Sequence, residues 1–293
     1  MQLSVEHKRL AANYKEIHAE GLTLYPITVE EYEEFSIARA AIEAMQQSFE
    51  VKYVSMPLLA AYYAMDYDAY LAGQTPCGLF SQALLFLALA LRLGRGEDMS
   101  RRIRVFQLVC ADGDMTRLRA VRFEQGGEEK EITPVTFSKL RPVLAAQNGI
   151  ELISETANPE LVEAERDIAA AKSMNLKPDF YDLRATLAAL TRQDEEEING
   201  WPILKLVRQQ RALQRALDYV VHGINAGAGC SWKGGNPTPS PFFDRERSDS
   251  PALMRLSDFA GGAGERAVEQ QTSGEGAAEV PAQLKILTRS EHS

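Results

Sequence analysis

Residues 201–223 read WPILKLVRQQRALQRALDYVVHG, and the spacing of apolar side chains in this run sets how the chain is read. Pro202 suits a first helical position, where its missing N–H has no intrahelical acceptor, and Gly223 reads as the stop. At about 100° per residue, Leu206, Val207, Leu213, Leu217, Val220 and Val221 gather on one side of a helix. Lys205, Arg208, Arg211 and Arg215 gather on the other. The run is therefore an amphipathic helix with a core face and a basic stripe. Such charge patterning is the ordinary dress of a solvated surface helix. The sharper alternative makes these four cations a partner-docking surface. Just upstream, Asp194 to Glu197 places carboxylates in the first turn of a shorter helix, where the positive end of the helix dipole favours them.

Working outward from that run, Asn158 and Pro159 form a cap-plus-proline start, and Asp179 opens a helix through Leu190. Residues 156–226 thus form a helical unit, with Ser154 to Ala157 as a linker before it. The N-terminal part, residues 1–155, reads as α+β. Ser4 to Ala19 forms a helix, Gly21 ends it, and Leu22 to Tyr25 is a short β-run broken by Pro26. Thr28 and Glu31 match a capping box, so a helix begins near Val29 and carries Phe35, Ala38, Ile42 and Met45 at helical spacing. Tyr62, Tyr63, Tyr67 and Tyr70 crowd a helical segment from Met56 to Leu71, and Leu79 to Leu93 is a buried core helix. From Arg101 to Cys110 the alternation suits a strand. Leu118 to Glu124 and Glu129 to Ile132 follow it around Gln125, Gly126 and Gly127, completing an antiparallel meander within residues 101–153. Thr133 and Pro134 start a helix that Pro142 bends and Gly149 closes, and Ile150 to Ile153 returns to the sheet edge. The fold class is α+β, mainly α.

Beyond residue 227 the composition changes to Gly, Pro and Ser, then to Gly, Ser, Ala and Glu. A segment this poor in apolar residues does not offset its backbone entropy, so residues 227–293 read as a flexible, disordered tail. Within it Phe242, Phe243, Leu253, Leu256 and Phe259 are apolar anchors on a long tether, and a second apolar cluster runs from Val280 to Leu287.

A length of 293 residues with 45% hydrophobic content is enough for a substantial core. The net charge of −9 argues against a general nucleic-acid binder, which needs a concentrated excess of Lys and Arg. Cys77, Cys110 and Cys230 are odd in number and far apart, which fits neither a zinc site nor a disulfide framework and points to a reducing cytoplasm. Glu6, His7, Lys8 and Arg9 leave no room for a secretory h-region. The run Leu79 to Leu93 is shorter than the roughly 20 residues of a bilayer span, so no membrane partner is expected.

The residues name no reaction. His7, His18, His222 and His292 are dispersed, and His222, near a helix end, suits a dipole partner better than a base. No base accompanies Cys230 beside Trp232. Lys233 lies in a glycine-rich run, but the glycine spacing fails, no Ser or Thr follows and no strand precedes it, so it is no phosphate loop. The acid pairs at Glu30 and Glu31, at Asp66 and Asp68, and at Glu195 to Glu197 suit solvated helix ends. The expectation is a protein with no enzymatic activity, no cofactor and no metal.

Two stretches are familiar together: Gly21-Leu22-Thr23-Leu24-Tyr25-Pro26-Ile27-Thr28 leading into Tyr32, and Glu197-Ile198 through Trp201-Pro202-Ile203. The second is followed by Cys230-Ser231-Trp232-Lys233-Gly234-Gly235-Asn236-Pro237 and Ser240-Pro241-Phe242-Phe243-Asp244. In these the chain resembles the tail assembly chaperones of long-tailed bacteriophages and prophages, although the meander maps onto no feature of that family. The resemblance implies a protein of the host cytoplasm that coats the tape measure protein before the tail tube forms around it and is absent from the finished particle. It further implies tape measure protein and tail tube protein as partners, and a family in which short and frameshifted long forms occur. The alternatives are a structural component of a particle and a regulatory protein that uses the basic helix on nucleic acid.

Overall fold

The computed structural model describes residues 3–111, 114–153 and 179–228, with a few positions between 160 and 168. They form a mainly helical α+β structure with one two-stranded and one three-stranded antiparallel sheet. The tail anchors Phe242, Phe243, Leu253, Leu256 and Phe259, the expected linker at Ser154 and the expected boundary near residue 155 lie outside the described residues.

The centre is a helix so apolar that it has no solvent face. From Phe80 onward, only Ser81 and Gln82 in the helix Leu79–Leu91 escape full burial. Its start is held by another helix: Asp66, on Leu58–Leu71, accepts from the backbone N–H of Gly78 (3.0 Å) and of Phe80 (3.3 Å). These are two of the donors that a helix N-terminus leaves unsatisfied. Around this centre pack the helix Tyr32–Glu43 and the helix Leu58–Leu71, and the helix Pro134–Asn148 packs in turn on Leu58–Leu71. In chain order the helices are α1 (Val5–Ala12), α2 (Tyr32–Glu43), α3 (Val51–Val54), α4 (Leu58–Leu71), α5 (Leu79–Leu91), α6 (Met99–Arg104) and α7 (Pro134–Asn148). After them come α8 (Phe180–Thr191), α9 (Glu195–Asn199) and α10 (Ile203–Gly227).

Strands β1 (Ile17–Ala19) and β2 (Leu22–Leu24) form a hairpin in register Ile17 with Leu24, turning at Glu20 and Gly21, both at positive φ. The two-residue turn demands that conformation, which glycine adopts without strain. The meander runs β3 (Gln107–Ala111), β4 (Asp114–Gln125) and β5 (Glu128–Ile132), with Gly126 and Gly127 at φ 65° and 83° in the second turn. Its inner face carries Val121, Phe123 and Ile132 into the main core, with Phe106 edge-on to Phe123 at 5.5 Å. The tyrosines of α4 are core and interface together. Tyr62 is fully buried and donates to the carbonyl of Ala41, and Tyr63 donates to the carbonyl of Met115 on β4.

The capping box at Thr28 and Glu31 is present, but the first turn it starts, Val29–Glu31, is 3₁₀ and passes into α2. Thr133, Asp179 and Asp194 cap α7, α8 and α9 through their side chains. Pro142 is accommodated inside α7, and the neighbouring Arg141 donates to the carbonyls of Ile42 (2.9 Å) and Ala44 (2.8 Å), satisfying acceptors at the end of α2.

Several boundaries differ from the sequence reading. The first helix stops at Ala12, and Ile17 to Ala19 is a strand, because Ile17 is needed opposite Leu24 in the core. Residues 101–104 are helical: Asp98 accepts from the N–H of Arg101 at 2.9 Å, and the strand begins only at Gln107. Ile150 to Ile153 joins no sheet; Ile150 is buried and closes the end of α7 through an N–H bond to Ala145 at 2.9 Å. Pro202 caps α10 from outside with ψ 140°, one position earlier than expected, and Gly223 lies within the helix.

Candidate functional site: the helix α10 and its seat

The seat of α10 is built by residues far from it in sequence. The N–H of Val29 donates to the carbonyl of Trp201 (2.8 Å), and the N–H of Ile203 donates to the carbonyl of Ile27 (2.9 Å), flanking a Thr28 to Pro202 bridge. Ile27 is itself held by the side chain of Asn148, which accepts from its N–H at 2.9 Å. The stretch ending at Val29 and the stretch from Trp201 to Ile203 therefore meet as a miniature antiparallel ladder. Beneath it, Val29, Leu187, Ile198, Trp201 and Leu206 form a second, smaller core. Gly149, at φ 73°, lets Leu204 approach so closely that a Cβ there would lie 3.0 Å from Leu204 Cδ1.

The basic stripe is largely occupied in making this seat. Lys205 lies over the ring of Trp201 with Nζ 3.8 Å from its centroid. Arg208 donates to the carbonyl of Ala12 at 2.8 Å and stands over the ring of Tyr14. Arg211 pairs with Glu151 at 3.6 Å, in an exposed position where such a pair adds little to stability. Arg215 is half-buried on the same side. The four predicted cations thus share one helix face, and the first two hold α10 to the body.

The apolar face divides in two. Ile203, Leu204 and Leu206 are buried, and Val207 and Leu213 partly so. Beyond them Leu217, Val220, Val221 and Ile224 are 52%, 54%, 53% and 65% exposed. Several bulky aliphatic side chains in contiguous turns, open to water, mark an interaction surface more often than chance exposure does. The sequence reading contained Leu217, Val220 and Val221 but missed Ile224. Its position seven residues after Leu217 was the available signal, concealed by reading Gly223 as a stop.

A second concavity, of about 570 Å³, opens between α2, α6 and α8. On its floor Arg102, 5% exposed, pairs with Glu31 at 3.0 Å and with Glu34 at 3.2 Å. Burial pushes the Glu34 carboxyl above its usual range and neighbouring Glu31 and Glu33 push the same way, while Arg102 opposes them. On the rim Tyr32 stacks on Phe180 at 3.6 Å, Tyr181 donates to Glu33, Arg95 pairs with Glu30 at 3.4 Å, and Arg184 bridges Glu195 and Asn199. Each of these polar groups already has a partner within the chain, so the cleft works as a clamp fastening α8 to α2. Among the described residues no cluster of His, Cys, Asp and Glu converges as a metal site, and no helix is long and apolar enough to cross a membrane.

Compared with known proteins, the chain matches no family model, no curated protein and no solved structure.

Proposed function

We propose that this protein is a non-enzymatic tail assembly chaperone of a long-tailed bacteriophage or prophage, acting in the host cytoplasm and leaving before the particle is complete. The observation that carries the proposal is the uncovered aliphatic stripe on the far half of α10. A tape measure protein is long and helical, and its apolar surface needs covering until tube subunits arrive. An amphipathic helix covers such a surface by laying its apolar face into it, with anchors one or two turns apart. The meeting of Ile27 to Val29 with Trp201 to Ile203 supports the same reading, because it makes one structural unit of the two family-like stretches.

The tail is assigned a separate task. Phe242, Phe243, Leu253, Leu256 and Phe259 recruit tail tube protein, and the tether raises local concentration while permitting release. Co-expression with tape measure and tube proteins from the same gene cluster tests both assignments. Ile224→Glu should leave tape measure protein insoluble, whereas truncation near Pro239 should keep it soluble and weaken capture of tube protein. Equal solubilisation by the parent and Ile224→Glu chains would overturn the assignment of α10. Detection of the protein by mass spectrometry in finished particles would overturn the chaperone reading itself.

A further inference from the structure

We infer that in the absence of any partner the exposed half of α10 pairs with a second copy of itself, antiparallel, in a reversible dimer. This inference needs only the present chain and stands whether or not the protein is a phage chaperone.

The stripe has the spacing of a helical seam. Leu213, Leu217, Val220 and Ile224 follow one another at intervals of four, three and four residues, the interval pattern that keeps side chains on a line between two packed helices. The positions flanking that line are Gln214 and Val221 on one side and Ala216 and Gly223 on the other, none of them charged. Arg211, Arg215 and Asp218 all fall on the opposite half of the helix. Two identical surfaces brought together usually set like charge against like, but this seam has no charge to set. Ala216 and Gly223 also leave room for close approach.

One antiparallel register satisfies every layer. Leu217 of one copy lies against Val220 of the other, and Leu213 lies against Ile224, so two-fold symmetry repeats each contact. In that register the level reached by Val207 falls past Gly227, where α10 ends, so most of each body lies beyond the other copy's helix, and only Leu213, partly packed on the second core, is shared between body and seam. The opposed helix dipoles favour the arrangement. A seam of about four side chains per copy is smaller than the roughly 1,200 Å² of a standard stable interface. The dimer is therefore exchangeable, and a helical partner offering a longer apolar face displaces the second copy.

Sedimentation of the full chain tests this directly. The weight-average mass should rise from one chain toward two between roughly 5 and 200 μM, the range suited to a seam below standard size. Leu217→Glu and Val220→Lys should each hold the chain monomeric with unchanged helicity. An equimolar mixture of the two should dimerise again, because the introduced acid and base then face each other across one layer. Should either variant lose helicity, Ile224→Ser replaces it and should weaken the dimer several-fold. A monomer at every concentration, with the stripe covered by another segment of the same chain, would overturn the inference. So would a dimer indifferent to these substitutions, or a mixture that stays monomeric and thereby excludes the antiparallel register.

Discussion

Arg102→Leu should be among the most damaging single substitutions in the protein, and its cost is calculable from the cleft. Arg102 is 5% exposed and Glu31 9%, with the guanidinium 3.0 Å from one carboxylate and 3.2 Å from that of Glu34. Removing the cation leaves buried carboxylate charge uncompensated, which costs about 3–5 kcal/mol. With a urea dependence of about 3 kcal/mol per molar, the unfolding midpoint should fall by about 1–2 M at constant slope. The adjacent Arg101 supplies the control. Its side chain is 68% exposed and pairs with Glu97 and Asp98 in solvent, so Arg101→Ala should shift stability by less than about 1 kcal/mol. Replacing Glu31 and Arg102 together by leucine should recover much of the loss, since no buried charge at Glu31 then lacks a partner. A midpoint for Arg102→Leu within about 0.2 M of the parent would refute the reasoning, for it would mean that water reaches the pair freely.

Three further outcomes are expected. Gly149→Ala combines a positive φ with a Cβ 3.0 Å from Leu204; it should cost about 1–3 kcal/mol and raise amide exchange first around Ile203 and Leu204. Asp66→Ala removes the carboxylate that caps α5 and should lower stability by about 1–2 kcal/mol in thermal unfolding, with native helicity retained at low temperature. The raised Glu34 carboxyl binds its proton more tightly folded than unfolded, so its contribution to stability is complete below the ordinary carboxylate range and is lost as pH rises through its folded value. Glu34→Gln should therefore gain stability relative to the parent as pH rises from the ordinary carboxylate range through the raised folded value, and equal pH profiles for the two chains would contradict the assignment.

Much of the fold was legible in the sequence because its signals are local. The caps at Thr133, Asp179 and Asp194 each act on an N–H within three residues, and the apolar run of α5 needs no partner to declare itself buried. Reading 101–106 as a strand failed for a related reason: Ile103 and Val105 alternate equally well in a short helix, and the decisive cap, Asp98, precedes the window. Gly223 did not stop α10 because one glycine inside a helix costs only about 1 kcal/mol, less than the surrounding turns supply. Burial of Arg102 was invisible because its partner Glu31 is 71 residues away. Periodicity identified the apolar face of α10, but it does not tell which half of that face the body covers. The answer depends on Val29, Leu187 and Trp201 converging beneath only its first turns.

The ladder between Ile27 to Val29 and Trp201 to Ile203 also sets a timetable for synthesis. At roughly 5–20 residues per second, the partner of Ile27 is made about 10–35 s after Ile27 itself. Until then the hydrogen-bonding edge beside α2 faces water, and Val29 lacks the Trp201 and Leu206 side chains that complete its core. The N-terminal helices can assemble around α5 during that interval, since all the buried residues of the main core except Ile203 lie within the first 150 residues. Seating α10 is necessarily a late event, and a ribosome paused before residue 201 would hold a chain whose main core is built but for Ile203 and whose α10 is not yet made.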